Sequence, residues 1–163
     1  MYLRSPHISS DAIAFVADDD LWLAPVDGGR AWRLTSDRGR PITPRFSPDG
    51  RHVAWTGDRD GAQEVLVASV ADGTIRRLTH LGGLTLILGW DDDDHILFAC
   101  NAGAHEMREL NVHRVDLSGT VERLDIGAAG GLARHEKGAV ALSTFNPRGP
   151  AWWKRYRGGT ASR

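Results

Sequence analysis

Four short apolar runs recur along the chain at nearly equal intervals. They are Ile13-Ala14-Phe15-Val16, Val53-Ala54-Trp55-Thr56, Ile96-Leu97-Phe98-Ala99 and Val140-Ala141-Leu142-Ser143. Their bulky third positions, Phe15, Trp55, Phe98 and Leu142, follow one another at spacings of 40, 43 and 44 residues. Each run is too short for a helix, and no helical period of about 3.6 persists through a whole unit, so the runs predict strands. They are almost continuously apolar rather than alternating, which is how a sheet buried on both faces reads. His105 to Leu110 is the one stretch that suggests a short helical turn, inside a hairpin loop.

Other strands and turns keep the same order around each run. First strands precede it: Pro41 to Phe46, Leu84 to Trp90, Gly130 to Arg134 and, as the weakest match, Leu3 to Ile8. Polar turns separate first from second strands, as Ser47-Pro48-Asp49-Gly50, Asp91 to Asp94 and Glu136-Lys137-Gly138. Asp and Gly supply the backbone angles that such turns need. Third strands follow as Leu21 to Ala24, Val65 to Ala68 and Asn111 to Val115, then turns at Asp27-Gly28-Gly29, Asp72-Gly73 and Ser118-Gly119. Fourth strands end on Leu34, Leu78 and Leu124, which are 44 and 46 residues apart.

A period of this length, made of short strands, is the signature of a β-propeller with one four-stranded blade per repeat. The expected fold is therefore all-β: a partial propeller of about three and a half antiparallel WD40-like blades. Blade 1 is expected at about 3–36, blade 2 at about 41–80, blade 3 at about 84–126 and an incomplete blade 4 at about 128–163. A ring needs at least four blades. The expectation is thus a fragment of a larger propeller, a truncated gene, or a ring closed by a second copy. Uncovered apolar strands such as Val140-Ala141-Leu142 predict self-association of the isolated chain.

Composition narrows the function classes. The 163 residues carry 20 Lys plus Arg against 21 Asp plus Glu, without the basic excess of a general nucleic-acid binder. Cys100 is the only cysteine, so there is neither an intrachain disulfide nor a cysteine metal cluster. Met1 to His7 has no apolar signal core. The longest apolar stretch, Leu84 to Trp90, is far short of a membrane span. A cytoplasmic protein that binds neither nucleic acid nor membrane is expected.

Candidate chemistry is sparse. Asp18-Asp19-Asp20 and Asp91 to Asp94 lack the spacing of a Ca²⁺ loop and read as solvated turns that cap local amides. The seven histidines are scattered without metal-ligand spacing, and His52, His95 and His135 fall near the starts of second strands. Ser143 lacks the Gly-x-Ser-x-Gly elbow and reads as a strand residue. Gly127 to Gly131 has no following Gly-Lys-Ser/Thr and reads as the connection between blades. Trp22, Trp32, Trp55 and Trp90 occupy strand positions and are expected to pack between blades. Trp152 and Trp153 lie beside Lys154, Arg155 and Arg157, an aromatic-basic cluster that can either bind nucleic acid or peptide or stack basic stems on indole rings. No catalytic, cofactor-binding or metal residue is assigned.

The order of four pieces resembles the N-terminal propeller of tricorn-type proteases. These are Asp11 to Trp22, Pro44 to Arg51, Arg77-Leu78-Thr79 and Trp153-Lys154-Arg155-Tyr156-Arg157-Gly158-Gly159-Thr160. They are spread from residue 11 to residue 160, so the resemblance covers nearly the whole chain. The resemblance implies a six-bladed N-terminal propeller, then a second propeller, a PDZ domain and catalytic domains bearing the serine nucleophile and histidine. The parent would be a cytoplasmic, oligomeric serine peptidase acting on short peptides. This segment would contribute channel, gating and assembly rather than bond cleavage. Its implied partners are passing peptides, the other parent domains and further copies. Some members hold a substrate carboxylate with basic residues on the loop into blade 3. Here that stretch, Thr79 to Ile87, offers only His80, so the role is not carried over. The alternative reading is a non-enzymatic TolB-like module that binds a protein or a peptide.

Overall fold

The computed structural model describes residues 2–37, 39–59, 61–106, 109–135 and 138–143. Fourteen strands are found among them, arranged as three four-stranded antiparallel sheets and one two-stranded sheet. Blade 1 is β1 (Arg4–Ile8), β2 (Ala12–Ala17), β3 (Asp20–Pro25) and β4 (Trp32–Arg33). Blade 2 is β5 (Ile42–Phe46), β6 (His52–Gly57), β7 (Glu64–Ser69) and β8 (Ile75–Arg77). Blade 3 is β9 (Thr85–Trp90), β10 (His95–Cys100), β11 (Asn111–Asp116) and β12 (Val121–Ala128). The start of blade 4 is the hairpin β13 (Gly131–Arg134) and β14 (Val140–Ser143). Strand order within every sheet follows the chain.

The first strands converge. β1 packs beside β5, β5 beside β9 and β9 beside β13, and the sheets splay outward from there to β4, β8 and β12. In each complete blade the first strand carries one extra residue against its partner. The register slips between Arg4 and His7, between Ile42 and Arg45, and opposite Leu97/Phe98 on β9. A bulge bends a strand and sharpens its twist, and at this radius that turns the inner strand across its neighbours.

Two apolar seams join the blades. In the first, Ala12, Ala14, Val16, Leu21 and Leu23 of blade 1 meet Phe46, Val53, Trp55, Leu66 and Ala68 of blade 2. In the second, Ala54, Val65, Val67 and Leu78 of blade 2 meet Ile87, Ile96, Phe98, Cys100 and Val115 of blade 3. Alternate residues of β6 and β7 therefore serve opposite seams, which is why these strands read as continuously apolar. β2 instead alternates between buried and half-buried, and all four residues of β14 are exposed. Two-sided burial is absent at these end strands, as expected for the uncovered Val140-Ala141-Leu142, because each has a described blade on one side at most. Trp55 is 2% exposed, whereas Leu142, at the corresponding repeat position, is 40% exposed.

Polar bonds cross both seams. Phe46 N–H donates to His7 Nδ1 at 3.1 Å, and the indole N–H of Trp90 donates to Arg45 O at 2.9 Å. Arg76 donates to Leu117 O at 2.7 Å, and Asp49 N–H to Asp93 Oδ1 at 3.0 Å. Trp32, expected to pack between blades, is instead 42% exposed on the short outer strand β4. β12 runs on to Ala128, so Gly127 lies within a strand rather than in the connection to blade 4. At the expected helical turn, Glu109 N–H bonds Glu106 O at 3.0 Å in a single turn, while Met107 and Arg108 lie outside the described residues. So do Trp152, Trp153 and the basic cluster beside them.

Two predictions follow from the seams. Trp55→Ala removes the largest side chain of the first seam and is expected to cost about 3–5 kcal/mol, read from chemical denaturation. His7 accepts a hydrogen bond at Nδ1 and must be neutral to do so; burial, then the charge of Arg45, hold its pKa below the ordinary value. His113, stacked on Phe98 at 5.3 Å, is lowered by burial and by Arg123 against the opposing bond to Asn111 O. The unfolded chain therefore binds these protons more readily. Stability should fall as pH drops through the ordinary histidine range and level off below the folded values. Thermal midpoints from pH 7.5 down to about 5 check this, and a His7→Asn, His113→Asn variant should show a flatter slope.

Candidate functional site

Antiparallel order puts one set of features at a single end of the blades. The starts of β1 and β5, the β2–β3 turn, the β6–β7 loop and the connection from β4 to β5 all meet there. Each third strand begins at this end with a polar side chain: Asp20, Glu64 or Asn111. Asp20 and Glu64 are both 1% exposed. A buried carboxylate is costly unless charge and hydrogen bonds compensate it, and here the end of the fourth strand does so. Thr35 Oγ1 donates to Asp20 Oδ1 at 2.8 Å and accepts from Leu21 N–H at 2.9 Å. Arg33 pairs with Asp20 and donates through Nε to Thr35 O at 2.9 Å.

Blade 2 repeats the arrangement. Thr79 Oγ1 donates to Glu64 Oε2 at 2.5 Å and accepts from Val65 N–H at 2.9 Å, while Arg77 stands 3.4 Å from Glu64 Oε1. The Gly82 N–H also donates to Glu64 Oε1 at 2.8 Å, so the carboxylate holds the connection into blade 3 as well. In blade 3 the pair becomes Arg123 donating to Asn111 Oδ1 at 2.8 Å. The Arg-Leu-Thr element is thus half of a clasp, and its acidic partner is the first residue of the third strand. Burial pushes Glu64 up, but the bonds from Gly82, Thr79 and Leu81 and the charge of Arg77 outweigh it and leave the pKa lowered.

The acidic runs are structural in more ways than local capping. Asp20 is a buried clasp residue, which corrects its expectation as a solvated turn residue. Asp91 pairs with Arg114 and Arg134, and Asp93 reaches the turn of blade 2. Asp92 caps the amides of Asp94 and His95 and bonds the His95 ring, as local capping predicts. In the Ser47-Pro48-Asp49-Gly50 turn, Ser47 Oγ donates to Asp49 Oδ1 at 2.6 Å and Arg51 N–H donates to the same oxygen at 2.9 Å. Those bonds hold Asp49 down to about 2.

A cleft of about 240 Å³ opens at this end between blades 1 and 2, lined by Arg4, Asp19, Arg40, Pro41, Ile42, Asp58 and Gln63. Arg4 pairs with Asp19 at 2.8 Å, and Arg40 pairs with Asp58. His80 is exposed on the connection into blade 3 and does not line this cleft. Ser143 sits at the end of β14 opposite Gly131. His52 stacks on Trp90 with ring centres 6.3 Å apart, and His95 is held by Asp92. The structure brings none of Ser143, His80, His52 and His95 together at one site. No group of three or more potential metal ligands occurs among the described residues. No helix among them is long and apolar enough to cross a membrane.

Four-stranded antiparallel blades that converge on their first strands define a β-propeller. The sequence matches the tricorn protease N-terminal beta propeller domain over residues 1–163, and the chain belongs to that family. It is 46% identical over 164 residues to tricorn protease homolog 1 of Streptomyces coelicolor, covering 99% of this chain and 15% of that one. The crystal structure of the tricorn protease superposes with a TM-score of 0.84 at 27% identity, over 98% of this chain and 16% of the other. TolB from Acinetobacter baumannii superposes with a TM-score of 0.71 over 87% of this chain and 37% of its own, and at 22% identity shows the shared fold alone.

The clasp generates a prediction. Glu64→Gln keeps the shape but removes the charge facing Arg77 and turns an amide donor toward Thr79 or Gly82; a loss of about 2–3 kcal/mol is expected. Because the folded pKa of Glu64 is lowered, its contribution is present at neutral pH and is lost as pH falls through the carboxylate range. Denaturation midpoints at neutral and acid pH should therefore differ less in the variant than in the parent.

Proposed function

We propose that the chain forms part of the wall of a peptide channel in a cytoplasmic tricorn-type peptidase, and that bond cleavage belongs to other domains of that protein. The observation that carries the reading is the side-by-side packing of β1, β5 and β9 at the inner radius, in a chain of this family. Three of the described histidines are engaged structurally through their rings: His7 with Phe46 N–H, His95 with Asp92 and His113 with Asn111 O. The chain spans about 15% of the length of the Streptomyces coelicolor relative, which leaves room there for the catalytic domains that the family resemblance implies.

Two measurements test this. The chain incubated with short fluorogenic peptides should give no turnover; turnover abolished by Ser143→Ala or by substitution of a histidine would overturn the assignment of cleavage to other domains. Ile8 is 60% exposed on inner strand β1, and Trp32 is exposed on outer strand β4. Millimolar short peptides should slow maleimide labelling of an Ile8→Cys variant and leave a Trp32→Cys variant unaffected. Equal protection of both positions, or of neither, would overturn the channel role.

A further inference from the structure

Three independent observations meet at the cleft between blades 1 and 2. The first is an unsatisfied oxygen. Gln63 Oε1 is buried and has no hydrogen-bond partner among the described residues, and the same holds for Thr43 Oγ1, beside the lining residue Ile42. Buried polar atoms in folded proteins are nearly always paired, so such an atom calls for an explanation. The second is backbone strain. Among the described residues, the non-glycine residues with positive φ are Ser5, Asp18, Asp19, Arg40 and Thr43. Asp19 and Arg40 line the cleft, and the other three each adjoin a lining residue. The two-residue turn between β2 and β3 accounts for Asp18 and Asp19. Ser5 and Thr43 belong to the bulged segments of β1 and β5, and Arg40 lies in the connection between β4 and β5. Conformations of this kind collect at ligand-binding positions, where the surrounding structure holds them.

The third observation is the charge balance. Arg4 and Asp19 cancel, as do Arg40 and Asp58, so the lining carries no net charge. A ligand with a free carboxylate would have to compete with an aspartate for its arginine. An uncharged ligand with its own N–H donor meets no such competition. The walls are also braced. Asp58 N–H donates to Gly39 O at 2.9 Å, and a Cβ on Gly57 would stand 3.0 Å from that same oxygen.

We propose that this cleft binds the uncharged main chain of a peptide, with Gln63 Oε1 accepting a peptide N–H at the mouth of the channel. The choice of a peptide rests on the channel reading above. The Gln63 amide offers an acceptor and a donor side by side, the complement of one peptide unit. Arg40 and Arg4 close the sides of the cleft while remaining paired to their aspartates.

The test uses the full chain and a tripeptide that is N-acetylated, C-terminally methylamidated and bears a benzophenone side chain. Irradiation should label residues 40–42 or 58–63 saturably, as mapped by mass spectrometry of proteolytic fragments. Gln63→Leu should lower that labelling about tenfold at an unchanged thermal midpoint, whereas Gln63→Glu, which keeps the acceptor oxygen, should stay within about threefold of the parent. Labelling indifferent to Gln63→Leu overturns the proposal. Preference for the same peptide with a free carboxylate also overturns it, by marking a carboxylate anchor instead. Labelling of β1, β9 or residues 44–46 of β5 without residues 40–42 or 58–63 overturns the cleft and leaves the channel reading standing. Labelling confined to the outer strands overturns both.

Discussion

A four-stranded blade has two apolar faces and can bury neither by itself. This constraint governs the rest of the molecule. Val53 and Trp55 need blade 1, while Ala54, Val65 and Val67 need blade 3, so blade 2 is held only as the middle of a stack. The third residues of the second strands show the consequence directly. Trp55 and Phe98 each face a preceding blade and are buried, while Phe15 is half-buried. Burial at this repeat position is set by the neighbour rather than by the side chain.

Convergence on the first strands adds a second constraint. Blades that pack face to face must still bend where they crowd the axis, and one extra residue in β1, β5 and β9 provides the bend. The same end of the blades carries the clasps. Asp20 and Glu64 tie the beginning of the third strand to the end of the fourth, and Glu64 continues to the amide of Gly82. A carboxylate buried there is acceptable because an arginine and a threonine hydroxyl meet it together, joined at Glu64 by the Gly82 N–H. The clasps therefore stabilise the end of the structure where the backbone is most strained and where the cleft opens.

The chain belongs to the tricorn N-terminal propeller family. The carboxylates and histidines described are largely engaged in turns, clasps and seams. A cleft opens between blades 1 and 2 at the end that carries the clasps. In the proposed channel role the chain would need a wall of defined shape, and blades locked by apolar seams and buried carboxylate clasps supply that shape.

The sequence by itself determined the repeat, the strand order and the position of Trp55 in a seam, because a period near 44 and uninterrupted apolar strands are properties of local pattern. It also carried the Arg-Leu-Thr half of the clasp in view. The acidic half was legible in principle: Glu64 follows Asp20 by 44 residues, and each precedes its arginine by 13. It was hidden because Asp20 ends an acidic run that resembles a solvated turn. Only the tertiary structure decided that Asp20 is buried, that Asp93 bonds a neighbouring blade, that Trp32 is exposed, and that Gln63 meets Arg4 and Arg40 at one cleft. Those outcomes depend on which chain segments are brought side by side across a seam, and residues some 60 positions apart, as Arg4 and Gln63 are, leave no joint mark in a local pattern.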